Sequence, residues 1–94
     1  MIIKFEESFL AKLQKYADFI ATDKPSASQT FKKALINECK KLKDFPYKCR
    51  QSIYFENEEI RDLVFKGYCI LYKIEGDTIR IFAMTKYEKS HDSH

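Results

Sequence analysis

Three cysteines, two histidines and a serine set among aromatics are the residues here whose types suit nucleophilic or metal chemistry. Cys39, Cys49 and Cys69 are an odd number with long gaps between them. No C-x-x-C and no Cys–His ligand set connects them, so they read as reduced, partly buried thiols. His91 and His94 both fall in the polar tail SHDSH, and a chain end is a poor place to hold a catalytic geometry. Ser52, in YKCRQSIYF, has no histidine placed to serve as its base, which argues against a nucleophile. Arg50 and Ser52 suit an anchoring role instead, tying an extended arm to a sheet and satisfying backbone groups buried there. No metal and no cofactor is expected.

The elements that must position these residues follow from length and pattern. Ninety-four residues make one domain, with 45% apolar and 15% aromatic residues to build a core. Charged residues are 33% of the chain and mixed in sign, which argues against disorder. The net charge of +3 is unevenly placed. Residues 1–48 carry ten lysines and six acids, an excess of +4, while residues 49–94 carry −1. The opening MIIKFEESF has too short an apolar run for a signal peptide and meets acids at Glu6 and Glu7. No window approaches the ~18 apolar residues of a spanning helix. The expectation is a soluble, cytoplasmic protein.

Ile2 to Phe5 reads as a short first strand. From Ser8 the period becomes helical, with Phe9, Leu13, Tyr16, Ala17 and Ile20 on one face. Ser8 suits its N-cap. Pro25 disfavours helical geometry for the residue before it and breaks the segment. A second helix follows, with Ser26 and Gln29 spaced as a capping box. Its apolar stripe is Ala27, Phe31, Ala34, Leu35, Cys39 and Leu42. Two helices so closely joined should pack as an antiparallel hairpin. Asp44-Phe45-Pro46 ends the helical part, and Ser52 to Phe55 reads as a short strand or an extended arm.

Ile60–Phe65, Tyr68–Ile74 and Thr78–Met84 read as three strands joined by tight turns at Lys66-Gly67 and Glu75-Gly76-Asp77. In the middle strand Tyr68, Ile70, Tyr72 and Ile74 share one face, and Cys69, Leu71 and Lys73 the other. Strict alternation in the last strand sets Ile79, Ile81 and Ala83 against Arg80, Phe82 and Met84. One face is apolar enough to receive the helices. The other is mixed, with Lys73 and Arg80 among apolar neighbours, and is either solvated or covered by a partner. The fold class is α+β: a short N-terminal strand, a two-helix hairpin, then an antiparallel β-meander in a mostly antiparallel sheet. One domain over residues 1–89 and a polar tail over residues 90–94 are expected.

These pieces, taken in order, resemble the RelE/ParE superfamily, the toxins of type II toxin–antitoxin systems. The resemblance covers about residues 1–89. It is carried by Ile60-Arg61-Asp62-Leu63, Gly67-Tyr68, Ile70-Leu71-Tyr72 and Gly76-Asp77-Thr78-Ile79, and by helices ending in Phe45-Pro46. It implies a RelE/ParE-like fold and a toxin neutralised by a cognate antitoxin whose disordered segment folds along the open sheet face.

The superfamily divides in chemistry. RelE-like members resemble ribosome-dependent mRNA interferases, endoribonucleases with Lys, Arg and a C-terminal Tyr or His on the open face. Attack of a ribose 2′-OH on its phosphate builds negative charge that cations stabilise, while protons are moved. Lys86, Tyr87 and Lys89 fall near the corresponding C-terminal position. The position after Gly67-Tyr68, often Arg in such RNases, is Cys69 here. ParE-like members poison DNA gyrase by binding, and Arg61 matches the arginine of their R-x-L strand. The resemblance therefore favours the ParE-like branch, with Arg50, Arg61, Lys73 and Arg80 as residues for meeting target or antitoxin. A catalytic set of Lys86, Tyr87 and Lys89, acting on mRNA at the ribosome, is the alternative. A second alternative is a non-toxic chain that only co-represses its operon with the antitoxin.

Overall fold

The computed structural model describes residues 1–87. The chain runs β1 (Ile2–Phe5), α1 (Glu7–Asp23), α2 (Pro25–Lys40), a 3-10 turn (Lys41–Lys43), β2 (Arg50–Gln51), β3 (Ile60–Phe65), β4 (Tyr68–Glu75) and β5 (Thr78–Lys86). The five strands form one sheet in the order β1-β5-β4-β3-β2. β1 lies parallel to β5, and every other pairing is antiparallel. No described helix is long and apolar enough to cross a membrane.

The apolar stripe of α1 is laid down as its spacing dictates. Phe9, Leu13 and Ala17 are buried, and Tyr16 and Ile20 pack at the rim. α2 buries Phe31, Leu35 and Cys39, and Leu42 continues the stripe into the 3-10 turn. The helices form an antiparallel hairpin around Lys24. Ser28 Oγ donates to the Ala17 carbonyl at 2.8 Å, and Lys32 Nζ reaches the Gln14 side chain at 2.9 Å. Both helices rest on the sheet face formed by Tyr68, Ile70, Tyr72 and Ile74 of β4.

The helix starts differ from the cap patterns. Glu6 is the N-cap of α1 and Lys24 that of α2, and neither contributes a capping side-chain hydrogen bond. Ser8 lies inside the first turn, and its hydroxyl donates to the Phe82 carbonyl at 2.6 Å. Pro25 takes the first helical position, where its missing N–H costs nothing and its fixed φ suits the helix. Starting the helix at Pro25 draws Ser26 and Gln29 inside it, so the box cannot form.

Strict alternation also fails in β5, for a local reason. Tyr72 pairs with Ile81 and Leu71 pairs with Ala83, so Phe82 is an extra residue in the ladder. Beyond this bulge the faces exchange. Met84 pairs with Ile70 and is buried in the core, while Ala83 moves to the opposite face. Ser52–Phe55, read as a short strand or an extended arm, is not a strand; the short strand of this region is Arg50–Gln51. Ser52 to Phe55 follows as an arm that bends at Ile53 and Tyr54.

The turns use the chemistry their geometry demands. Lys66 and Gly67 both have positive φ, 50° and 82°, as a type I′ hairpin requires. Gly76 has φ +60° at the first central position of the β4–β5 turn, the place where a II′ turn takes glycine.

Candidate functional site

The sheet face away from the helices carries the side chains that the ladder register sends there. On β3 these are Ile60, Asp62 and Val64, opposite Lys73, Leu71 and Cys69 of β4. Cys69 and Leu71 are nevertheless buried. The arm after β2 lies along this side. The Ile53 N–H donates to Asp62 Oδ2 at 3.0 Å, and the Phe55 ring meets the Phe82 ring edge-on at 5.9 Å. Part of the face expected to await a partner is thus covered by the chain itself.

Asp62 is the fixed point of this arrangement, and its side chain is fully buried. Oδ2 accepts from Ile53 N–H and from Arg50 Nη2, the latter at 3.3 Å, while Oδ1 has no hydrogen-bond partner among the described residues. Next to it, burial first and the Asp62 charge second push the Cys69 thiol up to about 12. Ser52 is buried, its Oγ accepts from the Tyr54 N–H, and its own N–H donates to the Ile60 carbonyl. Arg50 and Ser52 do tie the arm to the sheet. The anchor that Arg50 meets, Asp62, was missed; an acid flanked on its own strand face by Ile60 and Val64 in IRDLVF is the signal that marks it.

The bulge at Phe82 decides where the C-terminal residues go. It sends Lys86 to the helix side, paired with Tyr68, with Nζ 5.6 Å from that ring's centroid. Tyr87 emerges on the opposite side, where the Arg50 guanidinium lies 5.3 Å from its ring centroid. The Tyr87 N–H donates to the Gly67 carbonyl at 2.9 Å, which fixes its backbone. Lys86 and Tyr87 are therefore separated by the sheet. Lys89 lies outside the described residues.

Arg61 faces the helix side, beside Tyr72 and at the edge of the core. Its Nε donates to the Glu58 carbonyl at 3.0 Å and its Nη1 to the Cys49 carbonyl at 3.1 Å. Its guanidinium sits 4.8 Å from the Tyr47 ring centroid, and Tyr47 in turn donates to Glu59 at 2.8 Å. Arg61 takes backbone carbonyls, not the carboxylates of Glu58 or Asp62, and so fastens the loop before β2 to the turn before β3. Tyr72 helps from inside the core by donating to the Pro46 carbonyl at 2.7 Å.

At the other end of the open face, Arg80 pairs with both Glu6 and Glu75, and Lys73 lies 3.5 Å from Glu75. The Arg80 hydrogen bond, with the Lys73 contact behind it, holds the Glu75 carboxyl below its ordinary range. Of the cations expected to meet a partner, Arg50, Lys73 and Arg80 gather on one face. Each already has a carboxylate.

Comparison with known proteins agrees with this architecture. The family model described as the ParE toxin of type II toxin–antitoxin system, parDE, matches residues 3–86. A solved structure titled "Chromosomal ParDE TA system from P. aeruginosa" superposes with a TM-score of 0.78, covering 94% of this chain and 97% of that one. Its 16% identity makes this a likeness of fold. No curated protein sequence matches.

Proposed function

Because the chain belongs to the ParE toxin family of type II toxin–antitoxin systems, we propose that it acts by inhibiting DNA gyrase and is neutralised by a cognate antitoxin. The observation that carries this reading over RNA cleavage is the division made by the sheet. Lys86 lies on one side and Tyr87 on the other. An RNase would need free cations and a proton-transfer group converging on one phosphate. A binding inhibitor needs surfaces only, and ion-paired cations such as Arg80 and Lys73 serve to shape one.

The test is a supercoiling reaction with gyrase, relaxed plasmid and the purified chain. Supercoiling is expected to fall as the chain is added and to return when antitoxin is supplied. In cells induced for the toxin alone, thymidine incorporation should fall before methionine incorporation. Unchanged supercoiling, together with an early fall in methionine incorporation, would reject the gyrase reading.

One contact favours the second reading, an mRNA interferase. Arg50 over Tyr87 places a cation against a C-terminal tyrosine on the open face. Under that reading Tyr87→Phe abolishes toxicity. Under the gyrase reading it leaves toxicity intact.

A further inference from the structure

A cluster of lysines without carboxylate partners lies away from the open face. Gln29, Lys32, Lys33, Ile36, Asn37 and Lys40 line a shallow groove of about 290 Å³ on the outer side of α2. Their spacing places all six on one side of the helix, opposite buried Phe31, Leu35 and Cys39. Lys40 and Lys43 also border a neighbouring cleft beside β1, which extends the strip. Among the described residues, no carboxylate lies within ion-pair distance of Lys32, Lys33, Lys40 or Lys43. Lys32 is bound to the neutral amide of Gln14. On the opposite side Arg50, Lys73 and Arg80 are each paired, and Lys4, level with Arg80 in the ladder, is a lone cation and not part of a strip.

We propose that this outer face of α2 is a contact surface for the sugar–phosphate backbone of duplex DNA. Its composition selects that occupant over a folded protein. Protein interfaces are enriched in aromatics, Met and Arg and depleted in Lys. This strip is lysine with two amides and one half-buried isoleucine. Lysine ammoniums and Asn or Gln amides are side chains that hold phosphate oxygens without reading sequence. The seven residue steps from Lys33 to Lys40 span ~10 Å along the helix. Duplex DNA presents one charge per ~1.7 Å of axis, so several phosphates lie within reach of the strip. Contact of this kind is weak, independent of sequence and sensitive to salt. It does not depend on which enzyme the toxin targets.

Fluorescence anisotropy of the purified full chain with a labelled mixed-sequence duplex, from 25 to 200 mM salt, tests it; these are salt levels over which counterion release is large. The expected slope of log affinity against log salt is about −3, for three to four phosphates neutralised. Lys33→Gln/Lys40→Gln should lower affinity roughly tenfold at the low-salt end and flatten the slope by about 2. Lys12→Gln/Lys15→Gln, which removes two exposed lysines from α1, should change neither. Equal losses in both double variants would overturn the proposal, as would no binding at the lowest salt. Polyglutamate binding as tightly as the duplex, with the same loss in Lys33→Gln/Lys40→Gln, would assign the strip to an acidic protein segment and also overturn it.

Discussion

Asp62 shows how a single buried charge can serve order more than stability. Its carboxylate leaves water with one oxygen unpartnered among the described residues, which is a cost. In return it holds Ile53 N–H and Arg50, and through them the course of the arm across the open face. A hydrogen bond to a charged group contributes about 1.5–3 kcal/mol. Arg50 is partly solvated and can rehydrate when its partner is lost, so its share is smaller. Asp62→Ala is therefore expected to loosen the arm locally while the melting temperature changes little. Hydrogen exchange should show the Ile53 and Tyr54 amides at least ~10-fold faster, with β4 unaffected. Uniform acceleration across β4 and β5 would mean that Asp62 supports the whole sheet instead. Arg61 has a comparable role on the other side, where it joins two loops through carbonyls. That is a structural use of the residue the R-x-L strand singles out.

Among the elements, β5 controls more than its own packing. One extra residue at Phe82 turns Met84 into the core and Tyr87 out beside Arg50. The bulge also presents the carbonyl that accepts from Ser8 and so seats the start of α1. Period-2 and period-3.6 patterns made the helices, the meander and the core face of β4 legible, because those depend on spacing alone. The bulge was not legible. Nothing in TIRIFAMTK marks the skipped residue, which is set by pairing with Leu71 and Tyr72 across the ladder. For that reason Lys86 and Tyr87 read as one cluster in sequence and are two in space. The caps failed for another reason: the Ser8 hydroxyl is taken by the Phe82 carbonyl, and starting the second helix at Pro25 draws Ser26 inside it. The turns carry their own prediction. Lys66 holds φ 50°, a left-handed conformation that asparagine adopts at lower cost than lysine. Lys66→Asn gives an Asn-Gly pair suited to the I′ turn and should stabilise the chain by about 0.5 kcal/mol. Urea unfolding with an unchanged m-value would register it. A loss of stability would show that the Lys66 side chain, 5.6 Å from the Phe65 ring centroid, contributes more than its backbone costs.

For the molecule as a whole, the buried thiols set an alkaline limit on stability. Burial, then the charges of Glu38 and Cys49, push the Cys39 thiol from 9.0 up to about 12. Cys69 reaches about 12 through burial and Asp62. Burial also raises the Tyr72 phenol, followed by its hydrogen bond with Cys49. Each of these groups ionises later in the folded chain than in the unfolded one. Below about pH 9 both states hold the thiol protons, and the full stability is present. Between about 9 and 12 the unfolded state releases them and the folded state does not. Stability should then fall by about 1.4 kcal/mol per pH unit for each thiol. A domain of this kind has about 5–15 kcal/mol in total, so two thiols falling together can unfold it before pH 12. The expected melting curve is flat from pH 7 to about 9 and declines steeply above it. Cys39→Ala/Cys69→Ala should start lower, because two core side chains are shortened, yet decline less steeply. Parallel declines in the two proteins would assign the alkaline limit to other groups, the Tyr72 phenol first among them.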